Sequence, residues 1–265
     1  MTNPLDFFRK GRSDLSNFLI HLTKDGTFEE WRSADYIPDS FFFGSSTTLK
    51  ARDSLEAVLK GAPPTLLARA PFGIFKLIGI NAGRKTKKGI HPDWLKCVCF
   101  SETPLHELAG FYKATQDPRN WSLKANRYQK YGIAFSSSTI RKKGGHPIFY
   151  YDRANKPMQA AIEQFADPSL IAVTKPLLPF FEPYGPKLLD PAKEVDFRWE
   201  REWRIQGNCT FDHGEIAFGI CPEGEIAHFE ALVNNKFPFI DPDWDLQSLK
   251  DYLSKNGWKK LAEKL

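Results

Sequence analysis

The sequence predicts a single α+β domain with a mixed, largely antiparallel sheet and flanking helices. Apolar or alternating segments of strand length follow amphipathic segments irregularly, without a regular βαβ series. The 265 residues are 42% hydrophobic and include 22 Phe, enough for one sizeable core without disulfides. No repeat or low-complexity tract divides the chain. One domain spanning residues 1–265 is therefore expected.

The amino-terminal half predicts two strands, each followed by a helix. Residues 18–23 are an apolar run with one imidazole embedded, which is typical of a buried strand. Residues 53–60 have apolar side chains at helical spacing and are stopped by a glycine and two prolines. The apolar segment 94–100 predicts the second strand. Ser101 or Thr103 then caps a helix that has proline at its first position.

The middle of the chain predicts further alternation of strands and helices. Residues 131–135 and 147–151 are apolar and aromatic and predict strands, with a short helical turn at 136–141 between them. Residues 157–166 favour a helix that a proline ends. The apolar run 170–173 is of strand length, so a strand is possible there.

The last third begins with a Pro-rich stretch at 176–191, which predicts a surface loop over the site. The alternating segments 197–205 and 215–220 predict strands. Residues 226–234 favour a helix, and further helical pieces are expected within 244–265.

Composition limits what this protein can be. No window approaches the roughly 20 apolar residues of a membrane span, so no membrane partner is expected. The four cysteines are unpatterned and no signal peptide is visible, so a cytoplasmic protein is expected. The net charge of +5 is clustered at 84–88, 141–143 and 255–264, which either attracts phosphate-bearing partners or forms solvated surface.

The segment 197–205 is the most informative part of the chain. As a strand, it places Glu200, Glu202 and Arg204 on one face and its two tryptophans on the other. Charged residues are depleted from ordinary strands, so three of them on one face need a reason. They form either a cross-strand ion-pair face or a functional site.

Other residues that can carry chemistry also have a structural alternative. His21 lies inside a buried strand, and is either a core histidine or a ligand-binding one. Ser101, between a strand and a helix, is either a simple cap or a hydroxyl beside free backbone amides. Cys97 and Cys99 lack the spacing of a zinc site, so no metal site is predicted there. No motif of a serine or cysteine nucleophile is present either.

A magnesium-dependent nuclease remains open on the residues alone. Several carboxylates in the second half of the chain can ligate a hard cation, namely Asp152, Glu194, Asp196, Glu200 and Glu202. A lone Glu-x-Glu pair is a weak signal for such a site.

Five segments together resemble the AbiGi-type abortive-infection family of bacterial phage-resistance proteins. They are 18–23, 97–108, 131–135, 145–150 and 200–205. The family shows, in this order, a His-containing strand, Cys-Phe-Ser-Glu-x-Pro-Leu, Tyr-Gly-Ile-x-Phe, Gly-x-Pro-Val-x-Tyr and Glu-Arg-Glu-Trp-Arg-Val. Isoleucine replaces both valines in this chain. The resemblance implies antiviral defence, and the family's label has included an antitoxin role within toxin-antitoxin systems.

A weaker resemblance links the same layout to ADP-ribosyltransferases of the DarT kind. It implies an ADP-ribosyltransferase-like fold and NAD as the bound substrate. His21 would hold a ribose or the amide of NAD, and Glu202 would be the catalytic carboxylate with Glu200 as its neighbour. Arg69 is the candidate for steadying the pyrophosphate.

Transfer of ADP-ribose from NAD requires residue types that this sequence contains. Cleaving the nicotinamide–ribose bond develops positive charge on the sugar, which a preorganised carboxylate such as Glu202 stabilises. Arg204 can pair with phosphate, and Tyr150 or Phe100 can stack on the nicotinamide. Glu200 can act as general base toward the acceptor.

Three functions are therefore carried forward. The leading hypothesis is an anti-phage effector transferring ADP-ribose from NAD to a nucleic acid or protein. The alternatives are a non-catalytic antitoxin or partner-sensing module, and a metal-dependent nuclease. The leading hypothesis requires His21 and Glu202 to line one common cleft.

Overall fold

The computed structural model describes residues 16–24, 26–27, 48–68, 93–116, 128–165, 167, 169–187, 190–196 and 198–265. Its strands are β1 (Phe18–Lys24), β2 (Gly26–Thr27), β3 (Thr48–Leu49), β4 (Thr65–Leu66), β5 (Cys97–Ser101), β6 (Tyr128–Ser136), β7 (His146–Pro147), β8 (Phe149–Asp152), β9 (Phe181–Lys187), β10 (Asp190–Val195), β11 (Glu202–Gln206), β12 (Cys209–Thr210), β13 (Ile216–Ile220) and β14 (Phe239–Ile240). Its α-helices are α1 (Ala51–Lys60), α2 (Leu108–Gln116), α3 (Ser137–Lys142), α4 (Lys156–Phe165), α5 (Ile171–Thr174), α6 (Ile226–Leu232), α7 (Leu246–Lys255) and α8 (Lys259–Ala262).

The main sheet has seven strands in the order β14-β13-β6-β1-β5-β11-β7. Neighbouring strands are antiparallel except for the parallel pair β13 and β14. This confirms the prediction of a single α+β domain with a mixed, largely antiparallel sheet. The strands β1 and β5 are joined through the pair Ile20 and Ser101, so the centre of the sheet is narrow.

Each face of the main sheet carries its own core. On one face, Phe100 and Trp203 pack in a cluster with Leu55 of α1 and Phe229 of α6. On the other face, a second cluster contains Ile20 together with residues of α2, α7 and α8. Because side chains alternate along a strand, consecutive residues such as Leu19 and Ile20 belong to different clusters.

A small unit, defined as residues 149–187, is attached beside β11. It contains β8, α4, α5 and β9, and β9 lies between β8 and β10 in a separate three-stranded sheet. Its own apolar core is small and consists of Tyr151 and Ile162 with Phe181 packed against them. A second small cluster, in which Leu178 meets Leu95, joins the unit to the segment before β5.

Two predictions around the small unit were wrong. Residues 170–173 were considered a possible strand, but the chain forms α5 there, because Leu170 and Thr174 find backbone partners one turn away. The Pro-rich stretch 176–191 was expected to be a surface loop, but it contains a 3-10 helix, Leu178–Phe180, and β9. Pairing of β9 with β8 decides this, which local sequence does not encode.

The predicted strand over 197–205 is also shorter than expected. The segment Arg198–Glu200 is a 3-10 helix, Arg201 has a φ of 45°, and β11 begins at Glu202. The turn separates the two tryptophans that were expected on one face. Trp199 packs with the cluster of α2, whereas Trp203 packs with that of α1.

Candidate functional site

Arg204 is the centre of a buried ion cluster and is only 2% exposed. Its Nε and Nη2 donate to the two carboxylate oxygens of Glu202, at 2.8 and 2.9 Å. Nη2 also donates to Glu182 of β9, at 2.7 Å. Nη1 donates to the backbone oxygens of Pro179 and Phe181, at 2.6 and 3.3 Å. These five contacts match the five N–H donors of a guanidinium.

The charges in this cluster support one another. Burial works against the charge on Arg204, but Glu202 and Glu182 outweigh it, and the pKa of the guanidinium is raised well above its usual range. Burial raises the pKa of Glu182, and Arg204 partly offsets that rise. Two buried carboxylates thus share one cation, which is a stable arrangement only while all three members remain in place.

Glu200 lies beside this cluster, and its carboxyl group is not among the groups that Arg204 binds. The residue is 6% exposed. Within the described residues, its Oε1 atom is buried and has no hydrogen-bond partner. Its Oε2 accepts from the Tyr128 hydroxyl at 3.5 Å, the outer limit of a hydrogen bond. Burial, followed by the charges of Glu202 and Glu182, raises the pKa of Glu200 well above its usual value. These conditions favour the protonated acid.

The backbone around the two glutamates is fixed by neighbouring residues. The Ser101 hydroxyl donates to the Glu200 carbonyl oxygen at 2.7 Å. The backbone N–H of Glu202 donates to the Tyr150 hydroxyl at 3.1 Å, and burial raises the pKa of that hydroxyl. Ser101 and Tyr150, predicted as cofactor contacts, therefore position the glutamates. Ser101 is the last residue of β5 rather than a helix cap.

His21 lies on the face of the main sheet opposite to that of Glu202 and Arg204. Its ring contacts Phe100 edge-on at 5.9 Å, and its Nδ1 lies 2.9 Å from the Cys99 carbonyl oxygen. Ile20, the residue before it, pairs with Ser101, which pairs with Glu202, so those three share the other face. The expectation that His21 and Glu202 line one cleft is not met.

The predicted site residues therefore divide into separate groups. The predicted residues in or beside the buried ion cluster are Glu200, Glu202, Arg204, Tyr150 and Ser101. His21 and Phe100 lie on the other face of the main sheet. The position of Arg69 is outside the described residues. Sequence reasoning missed Glu182 and Tyr128. A lone carboxylate in the apolar and proline context around Glu182 was a usable signal, but Tyr128 carried none.

Where their side chains are described, the carboxylates considered for magnesium do not form one group of metal ligands. Asp152 accepts a bond from the backbone of Ala154, and Asp196 pairs with Arg198 at 2.7 Å on the surface. The side chain of Glu194 is outside the described residues. Within the described part of the chain, no three His, Cys, Asp or Glu side chains are grouped to hold a metal ion.

Fold and site together define an α+β protein with three buried acidic side chains around one buried arginine. No family model, curated protein or solved structure matches the chain. None of the helices in the described ranges has both the length and the apolar character needed to cross a bilayer.

Proposed function

We propose that the chain is a non-catalytic, partner-binding module of a bacterial anti-phage defence system, acting in the cytoplasm. The arrangement of Glu202 supports this choice over an enzyme, because both of its carboxylate oxygens are bound by Arg204 and the residue is only 7% exposed. His21, its expected companion, lies on the other face of the sheet. The acidic pattern that first indicated catalysis thus serves packing of the small unit.

One observation carries the proposal: the exposed large apolar side chains are concentrated in the small unit. In the described residues these side chains are Phe149, Met158, Phe165, Leu170, Val173 and Leu177. Exposed apolar surface concentrated in one segment is typical of an interaction site. We call these six residues the apolar surface.

Ring contacts and helical spacing bring parts of this surface together. Phe149 and Phe165 both contact the ring of Phe181, at 5.5 and 6.1 Å between centroids. Leu170 and Val173 lie one turn apart at α5, where the backbone N–H of Val173 donates to the Leu170 carbonyl oxygen, and Leu177 follows soon after this helix. Val173 is the most exposed of the six, at 78%.

The charges of this segment favour a protein partner over a nucleic acid. Residues 149–177 contain three acidic and three basic side chains, namely Asp152, Glu163, Asp167, Arg153, Lys156 and Lys175. A nucleic-acid site requires an excess of cations to neutralise phosphates, which this segment lacks. Its partner is therefore a protein surface that is apolar and close to neutral.

The proposal is tested by placing a charge on the apolar surface. In bacteria expressing the chain with its defence system, Val173→Asp should abolish phage protection, because a buried charge opposes docking. Ala172→Asp, on the neighbouring exposed position of the same helix, is the matched control. Both proteins should unfold at the temperature of the wild type. Equal protection by Val173→Asp and the wild type would contradict the proposal. Sedimentation of the purified chain tests whether the partner is a second copy of the chain.

ADP-ribosyl transfer from NAD is the second candidate, and the condition of Glu200 favours it. A buried carboxyl oxygen without a partner is costly, and perturbed acids of this kind are common at catalytic sites. The positive φ of Arg201, between Glu200 and Glu202, is a strained backbone that also concentrates at such sites. In this candidate Glu200 supplies the acid or base and Glu202 stabilises charge on the ribose, without His21.

Labelled NAD tests this candidate directly. The purified chain, incubated with NAD, nucleic acid and bacterial lysate, should release nicotinamide and label an acceptor. Glu200→Gln should remove both signals because it removes the titrating group while keeping the side-chain shape. Glu163→Gln, a partly buried glutamate outside the cluster, should keep them. No release of nicotinamide by the folded wild type counts against the transferase.

A further inference from the structure

We propose that the small unit is a hinged cover over Glu200 and Glu202, and that the ion pair between Arg204 and Glu182 is the latch that holds it closed. This goes beyond partner binding and does not depend on it.

Apart from the backbone pairing of β9 with β10, the contacts between cover and body meet largely on β11. Arg204 reaches three points of the small unit, at Pro179, Phe181 and Glu182. Two residues further along β11, Gln206 donates to the Lys175 carbonyl oxygen at 3.4 Å. Side-chain polar contacts thus connect the unit to β11, the strand next to the edge strand β7 of the main sheet.

The apolar part of this interface is small. The cluster that joins the unit to the body has two buried residues, Leu95 and Leu178, whereas the main sheet carries two large clusters. Interfaces that are small and polar permit relative motion, because little apolar surface is exposed on opening. Release of one strong ion pair is therefore a large part of the cost of opening.

The covered site has the features of one that is used when open. Among the described residues, Oε1 of Glu200 has no hydrogen bond to lose on opening, and exposure to water would satisfy it. The Tyr150 hydroxyl, which belongs to the small unit, accepts from the backbone of Glu202, so moving the unit also frees that N–H. Opening would present a carboxyl, a carboxylate and a backbone donor together.

Two cysteines provide a reporter of opening that needs no ligand. Cys97 and Cys99 lie on the same face of β5 as Arg204, with the sulfur atoms 3.9 Å apart, and Cys97 is only 2% exposed. Cys221, on the chain just after β13, is completely buried in the main core and reports global unfolding. The comparison of these thiols separates local from global opening.

The experiment measures alkylation of each cysteine by a maleimide under native conditions. Glu182→Gln should raise the rate at Cys97 and Cys99 about tenfold, because it removes the charge from a strong pair. Glu163→Gln, in the same unit but outside the cluster, should leave it within about twofold of the wild type. Cys221 should remain protected in every variant.

Two results overturn the latch. Equal rates at Cys97 and Cys99 in Glu182→Gln and the wild type show that the pair does not hold a cover. A matching rise at Cys221 shows global unfolding instead. Where Glu182→Gln fails to fold, Tyr150→Phe removes the hydrogen bond between the unit and the backbone of Glu202 and is judged by the same criteria. Val173→Asp should not change the alkylation rates, so failure of partner binding and failure of the latch are distinguishable.

Discussion

His21 and Glu202 lie on opposite faces of one sheet, separated by the single strand β5. The alternation of side chains enforces this, because Ile20 is in register with Ser101 and Glu202, and His21 is the next residue. The relationship removes His21 from any site that contains Glu202. Glu202 remains bound to Arg204 on its own face of the sheet, and the first two predictions below concern this cluster.

Arg204→Ala should destabilise the protein strongly. It removes the guanidinium that both Glu182 and Glu202 bind, and breaking a buried ion pair in this way costs about 3–5 kcal/mol. The free energy of unfolding in urea measures the effect. Arg198→Ala is the control, since its pair with Asp196 is exposed and should contribute little. Equal stability of the two variants would contradict the structural importance of the cluster.

Glu200 should make stability fall as pH rises. Its pKa is raised by burial in the folded state, so the folded protein binds a proton that the unfolded chain has released. The contribution is complete below the ordinary carboxylate pKa and is lost as pH rises toward the folded-state pKa. Unfolding in urea across about pH 4–8 should therefore show a smaller fall with pH for Glu200→Gln than for the wild type. Parallel curves would show that Glu200 is ionised in both states.

Gly219→Ala should disrupt the core of the main sheet. A Cβ at this position would lie 2.1 Å from the ring of Phe239, which is completely buried. Overpacking of this kind costs about 1–3 kcal/mol because the ring has no space to move into. Gly214→Ala, where nothing lies within 4 Å, is the matched control. The midpoint temperature of thermal unfolding should fall for Gly219→Ala and stay unchanged for Gly214→Ala.

Asp245→Ala should weaken helix α7, which precedes the last helix of the chain. The Asp245 side chain accepts from the backbone N–H of Ser248 at 2.8 Å and caps the helix. Loss of such a cap costs about 0.5–2 kcal/mol, whereas Asp245→Asn should retain most of it. Chemical denaturation of the two variants tests this, and equal stability of Ala and Asn would argue against the cap.

Local sequence predicted the regular elements of the main sheet well. The strand at 18–23 and the helices α1 and α4 follow from apolar spacing and flanking Gly and Pro, and the structure confirms them. Errors are concentrated at residues 170–205, where elements are short. There, pairing of β9 with β8 and the turn at Arg201 overrode the local pattern.

The candidate site was half visible in the sequence. The charged pattern Glu-x-Glu-x-Arg correctly indicated that Glu202 and Arg204 share a face. It could not show that Glu182, some twenty residues earlier, supplies the other carboxylate. Nor could it show that Glu200 precedes the strand and that, within the described residues, its Oε1 atom is buried without a hydrogen-bond partner.

The sequence by itself determined the fold class, the main strands and helices, and the neighbourhood of Glu202 and Arg204, because periodicity and spacing act over a few residues. Only the tertiary structure decided which face each residue occupies, which carboxylates share Arg204, and where apolar surface stays exposed. Those properties depend on strand register and on contacts between distant segments. A one-residue shift in register would exchange the two faces of a strand.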